Sequence, residues 1–256
     1  MKNIGAIYVL HGPRDIRFLM QSAKELRKFC PELPIVVNYF LPEEGLVDKL
    51  REVLPSNNVE FECYEKINFP DSPEREPHRN SDIQRVRALI NSKFENTVYI
   101  DNDVYVVHRG FNEGFRMANK FGCAVAMNPR WYGSTLEGDS GDLDIGADVS
   151  KYDRDWVTKS PKYMTAVNIG LIFYNQKFQG FMNKFLEEQL AHPSRGQAAL
   201  LRTMWETGQY PFILPPNWLA CGKHEKIDKP MALHVGHENI LRLWQDKFAS
   251  YRRDNE

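Results

Sequence analysis

An acidic triplet, Asp101-Asn102-Asp103, interrupts the most strongly strand-forming stretch of this 256-residue chain, Thr97 to Val107. Val, Ile and Tyr dominate on both sides of it, so the run reads as a buried strand. Two carboxylates there must meet a cation, hydrogen-bond donors or water to offset their lost hydration. Side chains at i and i+2 of a strand share a face but start about 7 Å apart. Both reach one ion only if the strand ends or bends at the triplet, and they would then offer hard oxygen ligands. Magnesium or manganese suits such ligands better than zinc, and an imidazole in the set tilts the choice to manganese. The plain alternative is a strand leaving the core. An EF-hand calcium loop is excluded, because its glycine and closing glutamate are missing at their places.

Around the triplet, short apolar runs alternate with helical spacing. Ile4 to Leu10 is a continuous apolar strand, and Ile16, Leu19, Ala23 and Leu26 then repeat at helical spacing. Strands are expected at Pro34–Tyr39 and Val59–Tyr64, with a short helix between them at Glu43–Leu54. Asn68–Asn80, rich in Pro and charge, reads as a loop, and Ser81 with Gln84 as a capping box opening a helix to Ser92. Ile83, Val86, Leu89 and Ile90 form its buried stripe, with Arg85 and Arg87 at the borders, where they can lie along the surface. A helix near Gly110–Phe121 and a strand at Cys123–Met127 follow, then a long irregular loop at about 128–164, of the kind that serves as a lid or binding loop. Beyond it we expect a strand at Ala166–Tyr174 and a helix with Phe181, Phe185 and Leu186 inward. A helix near Gln197–Glu206, a Pro-rich turn at Pro211–Trp218, a strand at Met231–Val235 and a terminal helix carrying Leu241, Trp244 and Phe248 complete the chain. The alternation predicts an α/β fold, a mostly parallel central sheet with helices on both faces, in one domain spanning residues 1–256.

Composition narrows the function. The 33 Lys+Arg and 34 Asp+Glu nearly cancel, which argues against a dedicated nucleic-acid binder. With 42% hydrophobic residues the chain can build a core, yet no apolar run approaches the ~20 residues of a transmembrane span. Cys30, Cys63, Cys123 and Cys221 stand singly, without zinc or disulfide spacing, and Met1–Leu10 has no cleavage site, so a cytoplasmic protein is expected. Neither a dinucleotide-binding glycine turn nor a phosphate loop is present, so diphosphate binding would fall to metal and basic side chains.

The ordered motifs resemble the GT-A glycosyltransferases, in particular the glycogenin-like family 8 and its relatives. The resemblance rests on the first strand and Arg14, Arg85 in the Ser81–Ser92 helix, Val98 to Val106 around the DxD, Val167-Asn168-Ile169-Gly170, Gly196-Gln197-Ala198-Ala199-Leu200 and Leu233-His234-Val235-Gly236. It implies a Rossmann-like GT-A domain and a metal-dependent, hexosyltransferase-like enzyme. Such an enzyme moves a sugar from a nucleoside-diphosphate donor, most plausibly a UDP-sugar, to a glycan, protein or small-molecule acceptor. It further implies Mn²⁺ (or Mg²⁺) on Asp101, Asp103 and His234. The donor would be held by Leu10, His11, Arg14, Arg85, Asp101, Asn102 and Gly236, with Asn168 and Gln197 at the reacting sugar. The strands ending at Leu10, Asp101 and His234 would share the carboxyl edge of one sheet, where open α/β folds bind ligands.

The chain departs from that pattern at Gly196, where the family has an acid, at Ile169 in the Asn-Ser-Gly strand, and after Gly236, where a lysine is replaced near Asn239. Sugar identity and stereochemistry stay open. Asp139, Asp142, Asp144 and Asp148 offer a replacement base, or are a solvated loop; Trp131, Tyr132, Trp156, Tyr163 and Trp218 offer stacking surfaces, or are packing. Two other functions fit parts of the sequence. A haloacid-dehalogenase-like phosphatase also uses an Asp-x-Asp, but places it near its first strand and wants Thr or Val where Tyr105 stands. A catalytically inactive nucleotide-sugar binder would account for Gly196.

Overall fold

The computed structural model describes residues 3–10, 15–39, 45–54, 58–65, 67, 76–127, 167–192, 196–221 and 229–235. The long loop at 128–164 and the terminal helix lie outside these residues.

A central sheet is laid down by β1 (Ile4–Leu10), β2 (Ile35–Tyr39), β3 (Val59–Cys63), β4 (Asn96–Ile100), β6 (Cys123–Met127), β7 (Val167–Asn175) and β8 (Phe212–Leu214), in the order β3-β2-β1-β4-β7-β6-β8. All run parallel except β7, which is antiparallel to both neighbours. The expected mostly parallel α/β sheet is therefore present. β1 shows why its sequence is apolar without alternation: Ala6, Tyr8 and Leu10 enter the core on one face, Ile7 and Val9 on the other.

The first face is covered by α1 (Asp15–Phe29), α2 (Leu46–Val53) and α4 (Glu113–Phe121), through Leu19, Ala23, Leu26, Leu46, Leu50, Phe115 and Ala118. The second is covered by α3 (Glu76–Ile90), α5 (Gln179–Ala191) and α6 (Gly196–Thr207), through Val86, Leu89, Phe181, Phe185, Ala199 and Met204. None of the described helices is long and apolar enough to cross a membrane.

Three expectations change. The Thr97–Val107 run is two strands: β4 ends at Ile100, and β5 (Val104–Val106) belongs to a second sheet with β9 (Ala220–Cys221) and β10 (Ala232–His234), in the order β5-β10-β9. His234 thus ends a strand of this smaller sheet, not of the central one. The α3 helix begins at Glu76, inside the expected loop, with Pro77 in the first turn, where a missing N–H costs nothing. Ser81 is accordingly an interior helical residue rather than a cap. The Pro-rich segment includes the short strand β8 and a one-turn 3₁₀ helix whose Trp218 packs edge-on against Phe173 in the core, so Trp218 offers no stacking surface.

Candidate metal and donor site

The acidic triplet is the junction between the two sheets. Val104 N–H donates to the Asp101 carbonyl at 2.9 Å, closing a turn with Asn102 and Asp103 at its corner. The bend that one shared ion requires is therefore built into the backbone. Asp101 N–H is anchored on the Gly170 carbonyl at 2.8 Å, and the Asp103 carbonyl accepts from Val235 N–H at 2.9 Å. The second bond and the His234–Val104 pairing bring the imidazole to the turn.

Ligand atoms of Asp101, Asp103 and His234 all lie within 4.8 Å of one another. Adjacent ligands of a magnesium-sized ion at about 2.1 Å are about 3 Å apart and opposite ones about 4.2 Å, so two carboxylates and an imidazole gathered this closely could close on a single small dication. His234 Nε2 stands 3.4 Å from Asp103 Oδ1. Burial works against ionisation of Asp103, but the neighbouring imidazole and the backbone outweigh it and hold this carboxyl below the usual carboxylate range.

Asn168, near the start of β7, orients the ring. Its Oδ1 accepts from Gly170 N–H at 2.8 Å, which leaves Nδ2 3.2 Å from His234 Nδ1. An amide NH₂ only donates, so the neutral ring accepts here on Nδ1 and carries its hydrogen on Nε2, facing Asp103; ligation through Nε2 would need that hydrogen moved to Nδ1 and the Asn168 amide turned to meet it with its oxygen. The register between β6 and β7 shifts between Val125 and Ala126, so Ile169, Gly170 and Leu171 pair with no residue of β6. On the other side of β7, the β4–β7 register with Ile100 opposite Leu171 carries Gly170 against the triplet: a Cβ there would sit 2.7 Å from Asp101 Oδ2.

Arg85 is not a surface residue. It is 6% exposed, with Nη2 3.0 Å from Asp101 Oδ1, Nη1 3.2 Å from Asp82 Oδ1 and its guanidinium over the Tyr99 ring. Burial alone would weaken its charge; Asp101, Tyr99 and Asp82 outweigh it and raise its pKa, so Arg85 is a permanent cation in the wall of the site. The Tyr99 hydroxyl donates to the same Asp101 oxygen, and burial keeps that phenol protonated. Sequence reasoning missed both Tyr99 and Asp82. Their signals were simple ones: Tyr99 shares a strand face with Asp101, and Asp82 precedes Arg85 by one helical turn.

Other expected residues divide into two groups. Asn102 donates to the Val9 carbonyl at 2.9 Å, placing it at the carboxyl end of β1, while its buried Oδ1 has no partner among the described residues. Leu10 is wholly buried, and its carbonyl accepts from the Tyr64 hydroxyl at 3.5 Å. Gln197 is half-buried in the first turn of α6. His11, Arg14, Gly236, Asp139, Asp142, Asp144, Asp148, Trp131, Tyr132, Trp156 and Tyr163 lie outside the described residues.

No protein-family model matches this chain, and no curated protein matches it. Solved structures do. The fold resembles that of the galactosyltransferase LgtC, solved in complex with donor and acceptor sugar analogs, at a TM-score of 0.65 and 11% identity, covering 98% of this chain and 96% of that one. An active-site mutant of LgtC gives 0.65 at 12% identity, over 97% and 95% of the two chains. The apo structure of the bifunctional glycosyltransferase WbbM gives 0.58 at 13% identity, over 99% of this chain and 52% of that one. The chain has the GT-A-like fold of these glycosyltransferases over nearly its whole length.

Proposed function

We propose that this protein is a metal-dependent glycosyltransferase that takes a hexose from a nucleoside-diphosphate sugar, a UDP-sugar. One observation carries the reading: Asp101, Asp103 and His234 converge at the carboxyl edge of a GT-A-like sheet, beside a buried and permanently charged Arg85. Asp101, Asp103 and His234 would hold Mn²⁺ or Mg²⁺, which when bound neutralises negative charge on a diphosphate leaving group. Arg85 adds a fixed cation to that corner, and an arginine contributes there without any reorganisation during reaction. Asn102, held at the end of β1 by its bond to the Val9 carbonyl, is a further candidate for the donor. Asn168 and Gln197 are the candidates for the sugar itself, and Leu10, His11, Arg14 and Gly236 for the rest of the donor. The acceptor would be a glycan, protein or small molecule. The cytoplasmic reading rests on the free thiols Cys30, Cys63 and Cys123.

The test is release of nucleoside diphosphate from a panel of nucleotide sugars with and without Mn²⁺. Asp103→Ala should lower metal-dependent turnover by about 10²-fold or more, because the cation loses one of three protein ligands. Full metal-dependent turnover in that variant would rule the reading out. A catalytically inactive nucleotide-sugar binder is the second reading, favoured by Gly196. Tight Mn²⁺-dependent UDP-sugar binding with no transfer or hydrolysis over a panel of acceptors would select it.

A further inference from the structure

The glycine that opens α6 is enforced by its neighbours. A Cβ at Gly196 would stand 2.4 Å from Ile169 Cδ1, 3.0 Å from Asp82 Cγ and 3.0 Å from Gln189 Nε2. Ile169 is buried in β7, and Asp82 reaches over from α3. The space where a side chain of residue 196 would begin is therefore already filled, and one of the groups filling it is a carboxylate. That carboxylate is fixed on two sides: Oδ2 accepts from Gly196 N–H at 2.8 Å, and Oδ1 faces Arg85 Nη1 at 3.2 Å. The other arm of the same guanidinium holds Asp101.

We propose that Asp82 is the specificity-determining acid of this site, and that its carboxylate accepts a hydrogen bond from a hydroxyl of the donor hexose. The proposal rests on the nucleotide-sugar reading and says where the sugar is read. An ionised carboxylate is an acceptor only, so it repels a phosphate and selects an O–H donor. Asp82 stands one guanidinium away from Asp101, so it borders the corner in which, on that reading, a metal-bound diphosphate and its sugar would sit. Its side chain is 17% exposed against 21% for Asp101, so it opens to solvent to about the same degree as that ligand. The N–H at the start of a helix and the Arg85 cation both favour the charged form, and a preorganised charged acceptor discriminates strongly among hydroxyl configurations. Ile169 and Gly196, which looked like two separate departures from the family pattern, are then one steric arrangement that lets α3 supply an acid which α6 has no room to carry.

The experiment compares Mn²⁺-dependent binding of UDP, UDP-glucose, UDP-galactose and their N-acetyl forms by calorimetry, in the wild type and in Asp82→Asn. In the wild type the preferred UDP-hexose should bind more tightly than UDP alone. In Asp82→Asn that increment should disappear, the preferred hexose losing about 10- to 100-fold more affinity than UDP does, as expected for a charge-assisted hydrogen bond to the sugar. A parallel fall for UDP and UDP-hexose would show that Asp82 serves only Arg85 and the metal corner, and would overturn the proposal. So would an unchanged preference, or a wild type whose best hexose adds nothing to UDP. A wild type that binds no UDP with Mn²⁺ refutes the nucleotide-sugar reading itself, which separates the two failures. Should Asp82→Asn lose its cooperative melting transition, the same comparison is made on Asp82→Ala combined with Ile169→Ser and Gly196→Asp. Moving the carboxylate to the α6 position should return a hexose preference, and its absence would count against the proposal.

Discussion

Gly170→Ala separates metal affinity from stability more cleanly than any change to a ligand. Gly170 lies inside β7 and is not among the glycines with positive φ, so an alanine there meets no backbone strain. Shrinking the unfolded ensemble would by itself stabilise the protein by about 0.4–1 kcal/mol. The new methyl meets Asp101 Oδ2 at 2.7 Å and Asn168 Oδ1 at 3.0 Å, whereas ordinary contact begins at 3.4 Å. The Asp101 carboxylate must therefore retreat by about 0.7 Å, several times the ~0.2 Å that metal–ligand distances tolerate. It cannot swing away freely, because Arg85 and Tyr99 grip its other oxygen. Asn168, which faces His234, is pushed at the same time. We expect Mn²⁺ affinity to fall about 10- to 100-fold, the range seen when the groups supporting a ligand are disturbed. The melting temperature in metal-free buffer should move by only a few degrees. Manganese titration by electron paramagnetic resonance, paired with a circular-dichroism melt, reads both quantities. Wild-type Mn²⁺ affinity in the variant would refute the assignment of Asp101 as a ligand in this geometry.

Two further outcomes follow from the packing and the buried thiols. Gly196→Ala should cost about 1–3 kcal/mol of stability by overpacking, and adding Ile169→Val, which removes the Cδ1 it strikes, should recover much of that; a single variant that melts like the wild type contradicts the steric account. Burial pushes the Cys123 thiol up to about 12 and the Cys30 thiol up to about 11 from an ordinary value of 9.0. The unfolded chain therefore releases protons that the fold retains. This contribution is intact below pH 9.0 and is lost as pH rises toward 11 and 12. Urea titrations across that window should show the decline, shallower in Cys123→Ala, and an identical slope in that variant would show that Cys123 is not a contributor.

Much of the scaffold was readable because it obeys local rules. Leu19, Ala23 and Leu26 are fully buried at the helical spacing that predicted them, and β6 occupies Cys123–Met127 as its apolar run suggested. The errors arose where two local signals looked alike. The capping-box pattern at Ser81 lies mid-helix because α3 extends back past Asn80, a buried residue whose side chain is satisfied by both backbone groups of Ile67. Hydropathy likewise does not reveal that Ile100 and Val104 belong to different sheets, since both are buried. At the site, the residue types and order of Asp101, Asp103 and His234 pointed to one corner. The reach of Asp82 to Gly196 did not show, because the two are 114 residues apart and nothing in either local sequence implies the other. The helical spacing places Arg85 at a stripe border and does not show its burial, which depends on Asp101 and Tyr99 of a different element.

The corner where Asp101, Asp103 and His234 meet also has a place in time. One of its walls is a pairing between Val104 and His234, segments about 130 residues apart, whose closure carries a large loop entropy and can be secured only after much of the intervening chain is ordered. The strands β1, β2 and β4 and helices α1 and α3 come from the first hundred residues, so much of the platform can assemble while the imidazole is still being synthesised. During synthesis, therefore, the platform precedes the proposed metal corner, whose third candidate ligand arrives only with the last of the described strands.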